Sequence, residues 1–145
     1  MLYFLSELSD GGDAFNLFRY ITFRSGGAFF TALILSFIFG APLIRRLRKM
    51  QKHGQPIRED GPTSHIIQKA GTPTMGGVLI LGTLLFSSLL WARSDNGYVW
   101  IVLLVTVGFG AIGFLDDYLK VTKNNVKGFS SKARIILGLL ISLIA

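Results

Sequence analysis

Cysteine is absent from the 145 residues, and there are only four prolines and two histidines. Without cysteine, neither a disulfide framework nor a thiolate metal site can form, although this absence leaves the compartment open. Charge is also sparse, at 16% of residues against 50% hydrophobic. The hydrophobic residues fall in blocks rather than at amphipathic spacing. Residues 25–44, 70–92 and 96–115 contain no charged side chain, and each run has 20 residues or more. At about 1.5 Å per helical residue, such a run covers a hydrocarbon core of about 30 Å. A fourth run, 135–145, has only 11 residues, and about 16 Å of helix falls short of that thickness. The expected architecture is therefore an all-α polytopic membrane protein. Its single membrane domain over 1–145 would hold three complete transmembrane helices, at about 25–44, 70–92 and 96–115, and an incomplete fourth at 135–145. Loops 45–69 and 116–134 would be cytoplasmic. The chain reads as the front part of a longer membrane protein.

Positive charge is scarce on one side of these spans. Residues 1–14 hold Glu7, Asp10 and Asp13 and no basic residue, which argues against the positive n-region of a secretory signal. Arg45, Arg46, Arg48, Lys49, Lys52, Arg58 and Lys69 follow the first run. Lys120, Lys123, Lys127, Lys132 and Arg134 follow the third, so two segments hold 12 of the 15 basic residues. The positive-inside rule puts both in the cytoplasm and the N-terminus outside. The formal net charge of +7 is thus one-sided. Juxtamembrane cations of this kind suit membrane lipid headgroups or a phosphorylated substrate, and nucleic acid is not an expected partner. Phe15 to Phe23 is aromatic-rich and is expected at the outer interface, with Trp91, Tyr98 and Trp100 as further interfacial anchors.

Against this background Asp116 and Asp117 stand out, adjacent acids at the end of a charge-free run and followed by lysines. Magnesium is commonly held by one or two carboxylates together with substrate phosphates and water, which suits a diphosphate substrate at a membrane edge. Adjacent helical residues point about 100° apart, so the two acids need not share a role. Lys120 lies four residues after Asp116 and three after Asp117, within pairing distance of either if the helix continues. The simpler alternative is an interfacial acid pair neutralised by Lys120 and Lys123. His53 and His65 are assigned no role.

A second stretch, Gly71-Thr72-Pro73-Thr74-Met75-Gly76-Gly77, carries an N-cap residue followed by proline, so a helix is expected to start at Pro73. Its first turn would offer N–H groups to an anion or nucleotide on the cytoplasmic side. Gly76 and Gly77 leave room for a ligand or for a neighbouring helix. By contrast, Gly108, Gly110 and Gly113 match G-x-G-x-x-G but lie inside a membrane span after no strand, so close helix packing is the better reading.

These stretches, with Asp60-Gly61-Pro62, Ser64-His65 and the run from Gly113 to Val121, closely resemble the bacterial phospho-N-acetylmuramoyl-pentapeptide transferases. That family is a branch of the polyprenyl-phosphate N-acetylhexosamine-1-phosphate transferases. The resemblance extends over essentially the whole chain. It implies a magnesium-dependent phosphoglycosyl transferase of the bacterial inner membrane, acting in peptidoglycan synthesis. Phospho-MurNAc-pentapeptide would pass from UDP-MurNAc-pentapeptide to undecaprenyl phosphate, giving lipid I and UMP. Asp116 and Asp117 correspond to the catalytic acidic pair and to metal ligands. Lys69 and Thr74 correspond to contacts on the nucleotide side, with Lys120 and Lys132 as further phosphate contacts. The family's third essential aspartate and its histidine-rich segment would lie beyond Ala145, so the 145-residue chain alone is expected to be inactive. A homodimer is a further candidate assembly.

A phosphate monoester has its second pKa near about 6, so the acceptor lipid would already be about 90% dianionic at pH 7. Positioning and charge neutralisation are therefore expected to outweigh proton abstraction. Rival readings are a relative acting on another UDP-sugar, a transporter using the acids for ion coupling, and a membrane scaffold. A transporter would place the acids nearer the midplane.

Overall fold

The computed structural model describes residues 1–9, 12–51, 74–123 and 129–145. Among the described residues the regular structure is helical, with no strand. Two 3₁₀ segments, Leu2–Leu8 and Ala14–Arg19, precede helix α1, Ile21–Met50. Helix α2 spans Gly77–Trp91, α3 Gly97–Lys123 and α4 Ser131–Ile144.

Helix α1 extends past its charge-free run at both ends, through Arg24 before it and through Arg45, Arg46, Arg48 and Lys49 after it, straight-chain basic residues being good helix formers. Pro42 lies inside it, where the ring removes one backbone donor, yet the helix continues. The Arg45 guanidinium donates to the Ala41 carbonyl at 3.3 Å, adding a bond beside the proline. Helix α3 likewise runs on through Asp116 and Asp117 to Lys123. Both α1 and α3 are long and apolar enough to cross a membrane. At 15 residues, α2 rises about 22 Å, less than the span expected for residues 70–92.

The start of α2 corrects the sequence reading. Capping chemistry at Thr72 and Pro73 predicted a helix beginning there; those two residues lie outside the described ones, but Thr74 and Met75 are not helical and the first helical residue is Gly77. Met75 has φ 72°, a left-handed conformation that non-glycine residues adopt at a cost of about 1 kcal/mol or more. Tertiary hydrogen bonds linking Thr74 to Gln51, and Thr74 and Met75 to the accepting Asp117 carboxylate, hold the backbone out of the helix and offset that strain.

The helices run alternately up and down, with α1 on α2, α3 on α2 and α4 on α3. Glycines set the close approaches. At Gly27 of α1 a Cβ would stand 2.5 Å from the Trp91 ring, so only a bare backbone admits the indole. A Cβ at Gly108 would meet Ile141 of α4 at 2.9 Å, and one at Gly110 would meet Leu81 of α2 at 2.6 Å. Two of the three glycines of the rejected dinucleotide pattern therefore seat α3 against its two neighbours, in accord with the packing interpretation.

Few apolar side chains are enclosed. Among the described residues only Leu103 and Ile112 are buried hydrophobics, while Phe37 is 77% exposed and Leu143 84%. The most apolar stretch of α1 buries none of its residues. A core helix of a water-soluble protein would show the opposite, since apolar faces this broad are unfavourable in water and neutral in lipid.

At the end where α1 begins, aromatic side chains gather on Trp91. Phe18 stacks on it with centroids 5.9 Å apart and Phe23 meets it edge-on at 6.0 Å. The indole N–H donates to Thr31 Oγ at 2.9 Å, and Thr31 donates to the Gly27 carbonyl at 2.7 Å. Trp91 is thus an internal packing element, whereas Tyr98 and Trp100 remain largely exposed. Tyr3 packs beneath two guanidinium groups, Arg24 at 5.0 Å and Arg93 at 4.4 Å from its ring centroid.

Candidate acidic site

At the opposite end, three helices and a turn converge on the two aspartates. Helix geometry places Asp116 and Lys120 one turn apart, and the Lys120 ammonium lies 2.6 Å from Asp116 Oδ2 and 3.9 Å from Asp117 Oδ1. Ser130 precedes α4, and the first turn of that helix carries Arg134. Its guanidinium donates to Asp116 Oδ1 at 2.9 Å and to the Phe129 carbonyl at 3.3 Å. The Phe129 N–H also donates to Asp116 Oδ1, at 2.7 Å. Asp116 is consequently 7% exposed, with both oxygens occupied. Two cations and an amide compensate for the burial of its charge, as a buried carboxylate requires.

Asp117 is differently placed. Its Oδ2 accepts the Thr74 hydroxyl at 2.8 Å and the Met75 N–H at 3.3 Å. Among the described residues its Oδ1 has no polar contact closer than the 3.9 Å approach of Lys120. Thr74 is held in turn by Gln51, the C-cap residue of α1. Gln51 Oε1 accepts the Thr74 N–H at 2.8 Å, and Nε2 donates to the Thr74 carbonyl at 3.2 Å.

The site therefore unites four of the residues singled out from sequence: Asp116, Asp117, Thr74 and Lys120. Lys132 stands exposed on the first turn of α4, two residues from Arg134, with no polar bond among the described residues. Lys69 lies outside the described residues, as do His53 and His65. Arg134 joins Lys120 in neutralising Asp116, while the side chain of Lys123 lies outside the described ones. Sequence reasoning overlooked Arg134, Gln51 and the Phe129 amide. Arg134 was one of five basic residues in a segment judged only by its net charge; nothing local distinguishes Gln51.

Among the described residues the acidic pair offers one uncommitted carboxylate oxygen to a hard, oxygen-seeking cation such as magnesium. Three of the four carboxylate oxygens are committed to protein donors, leaving Asp117 Oδ1. Among the described residues no three His, Cys, Asp or Glu side chains gather; magnesium is commonly held by one or two carboxylates together with water and substrate oxygens. Following Met75, Gly76 and Gly77 open α2, and among the described residues nothing lies within 4 Å of where their Cβ atoms would stand. The expectation that they admit a neighbouring helix is not met among the described residues. The alternative, open space for a ligand, fits the geometry.

Similarity to known proteins falls on this region and extends beyond it. Residues 69–81 match the signature described as phospho-N-acetylmuramoyl-pentapeptide-transferase signature 1, which includes Thr74, Met75 and the first turn of α2. A phospho-N-acetylmuramoyl-pentapeptide-transferase of Dinoroseobacter shibae is 69% identical over 95% of this chain and 38% of its own length. One from Ruegeria pomeroyi is 64% identical over all of this chain and 40% of its own length. The chain thus spans about two fifths of these curated relatives, and the resemblance read from its motifs stands.

Proposed function

We propose, from this similarity to the phospho-N-acetylmuramoyl-pentapeptide-transferases, that the chain is part of a membrane enzyme moving phospho-MurNAc-pentapeptide from UDP-MurNAc-pentapeptide to undecaprenyl phosphate. The products are lipid I and UMP. The observation that carries the reading is the division of labour within the acidic pair: Asp116 is saturated by protein donors, and Asp117 keeps one oxygen free among the described residues.

In this reading the apolar runs at 25–44, 70–92 and 96–115 cross the bacterial inner membrane, the run at 135–145 begins a fourth crossing, and the acidic site faces the cytoplasm. The polyprenyl chain of the acceptor stays in lipid beside the helices while its phosphate reaches the site at their ends. Asp117 Oδ1 is a protein ligand to magnesium, and Asp116 keeps Lys120 and Arg134 in place beside the pair. Magnesium, when bound, neutralises the phosphate oxygens between which the bond is exchanged. Lys120, within reach of both acids, supplies a second positive charge to the diphosphate, and Lys132 and Lys69 add to the same field. Thr74 contributes by orienting Asp117. The acceptor phosphate is largely dianionic at neutral pH, so alignment and charge neutralisation provide most of the rate.

The test is an assay of the full-length protein in lipid with both substrates and magnesium. Lipid I and UMP should form together. Absence of UMP release would sink the reading, and turnover of another UDP-sugar in preference would redirect it to a sister transferase. Replacing Asp117 with Asn should raise the magnesium concentration needed for half-maximal turnover; an unchanged magnesium dependence would remove it from the metal site.

A further inference from the structure

We infer that Gln51 is a positioning residue for the acidic site, acting through Thr74 to fix the orientation of the Asp117 carboxylate and so the direction in which its uncommitted oxygen points. Gln51 touches neither aspartate. Its side-chain amide instead engages both backbone polar groups of Thr74, accepting from its N–H at 2.8 Å and donating to its carbonyl at 3.2 Å. A donor and an acceptor on one planar group meet an acceptor and a donor on the other, so the amide fits in one orientation only. The residue is 6% exposed, which makes both bonds hard to replace with water.

This clamp also sets the backbone at Met75. With Thr74 held, its hydroxyl and the next N–H converge on the same oxygen, Asp117 Oδ2. Met75 adopts its left-handed φ of 72° at this point. A residue free to relax would leave that conformation, releasing the Met75 N–H and allowing the carboxylate to rotate. Gln51 opposes the rotation from a different helix. Glutamate would not substitute, because its second oxygen would face the Thr74 carbonyl, acceptor against acceptor, with a buried charge added.

The geometric part of this inference is independent of the activity; its consequence for turnover rests on the transferase reading. Both are tested in the full-length protein by comparing wild type with Gln51→Met, which keeps the volume, and Gln51→Glu, which keeps one acceptor. Amide hydrogen exchange should quicken about tenfold or more at Thr74 and Met75 in both variants, the scale expected for losing one or two buried hydrogen bonds. Exchange in the middle of α2 should be unchanged. The magnesium concentration for half-maximal lipid I formation should rise about tenfold, with KM for undecaprenyl phosphate moving less than about twofold. Wild-type exchange rates at Thr74 and Met75 in Gln51→Met would overturn the clamp, since packing alone would then suffice. Faster exchange with an unaltered magnesium requirement would overturn its role in the reaction. Should the wild-type protein form no lipid I while the exchange result holds, the transferase reading fails and the clamp survives.

Discussion

Where α1 begins, Trp91 of α2 lies over Gly27 among Phe18 and Phe23, and most of the contact is between rings and bare backbone. Where α1 ends, Gln51 meets Thr74 and Thr74 meets Asp117, each through directed hydrogen bonds. The same pair of helices is thus closed at one end by shape and at the other by polarity. Shape tolerates small displacements at modest cost, because dispersion and burial change gradually with distance. Directed bonds between buried polar groups do not, since each orphaned donor or acceptor is penalised in full. An end built in the second way holds atoms in register, which positioning chemistry needs; the first supplies stability without that demand.

Ion pairs sharpen the contrast. Arg93 and Asp95 pair at 2.6 Å at the aromatic end, with both side chains 45% exposed. Asp116 pairs at the same 2.6 Å with Lys120, but its side chain is only 10% exposed. Identical distances therefore describe one bond that water can replace and another that it cannot.

The largest expected effect lies at the polar end. Asp117→Asn in the full-length protein should lower turnover about a thousandfold, or about 4 kcal/mol of activation free energy. Its thermal midpoint should barely move. A variant equally slow but grossly unfolded would erase the distinction between the ends. Next comes Trp91→Ala, which should destabilise by about 3 kcal/mol in denaturation followed by Trp100 fluorescence. Turnover per folded molecule should hold, and a specific loss of catalysis would mean that the aromatic end reaches the chemistry. Arg134→Met should cost about 1 kcal/mol, because the guanidinium is half exposed and Lys120 still faces Asp116. The smallest effect should come from Asp95→Asn, with no measurable shift of the unfolding midpoint in moderate salt.

The Arg93–Asp95 pair also gives the comparison a pH test. The hydrogen bond from Arg93 holds the Asp95 carboxyl below the ordinary carboxylate range. A depressed folded-state value means that any stabilisation is present above the unfolded pKa and lost as pH falls through the folded one. A carboxyl-carbon NMR titration of Asp95 should thus have its midpoint below that of an unpaired aspartate, and Arg93→Gln should bring it back up.

Much of the frame was legible in the residues themselves. Charge-free runs located α1 and α3 because lipid-facing helices must be apolar along their length. Asp116 and Asp117 drew attention because acids are rare at the end of such a run, and Lys120 followed from helical spacing. The start of α2 was misplaced because Thr72 and Pro73 carry a local capping signal that the bonds of Thr74 and Met75 to Gln51 and Asp117 override. Arg134 and Gln51 were invisible for a related reason. They meet their partners across 18 and 23 residues of sequence respectively, and such pairings leave no periodic trace. Trp91 was read as an interfacial anchor because composition reports what an aromatic prefers, whereas Gly27, far away in sequence, decides where it packs.

The bond between Gln51 and Thr74 also ties together the two ends of the segment that joins α1 to α2. One side-chain amide thereby works as a non-covalent cross-link, holding the C-terminal end of α1 to the approach of α2 across 23 positions of sequence and fixing the height at which Thr74 meets the acidic pair.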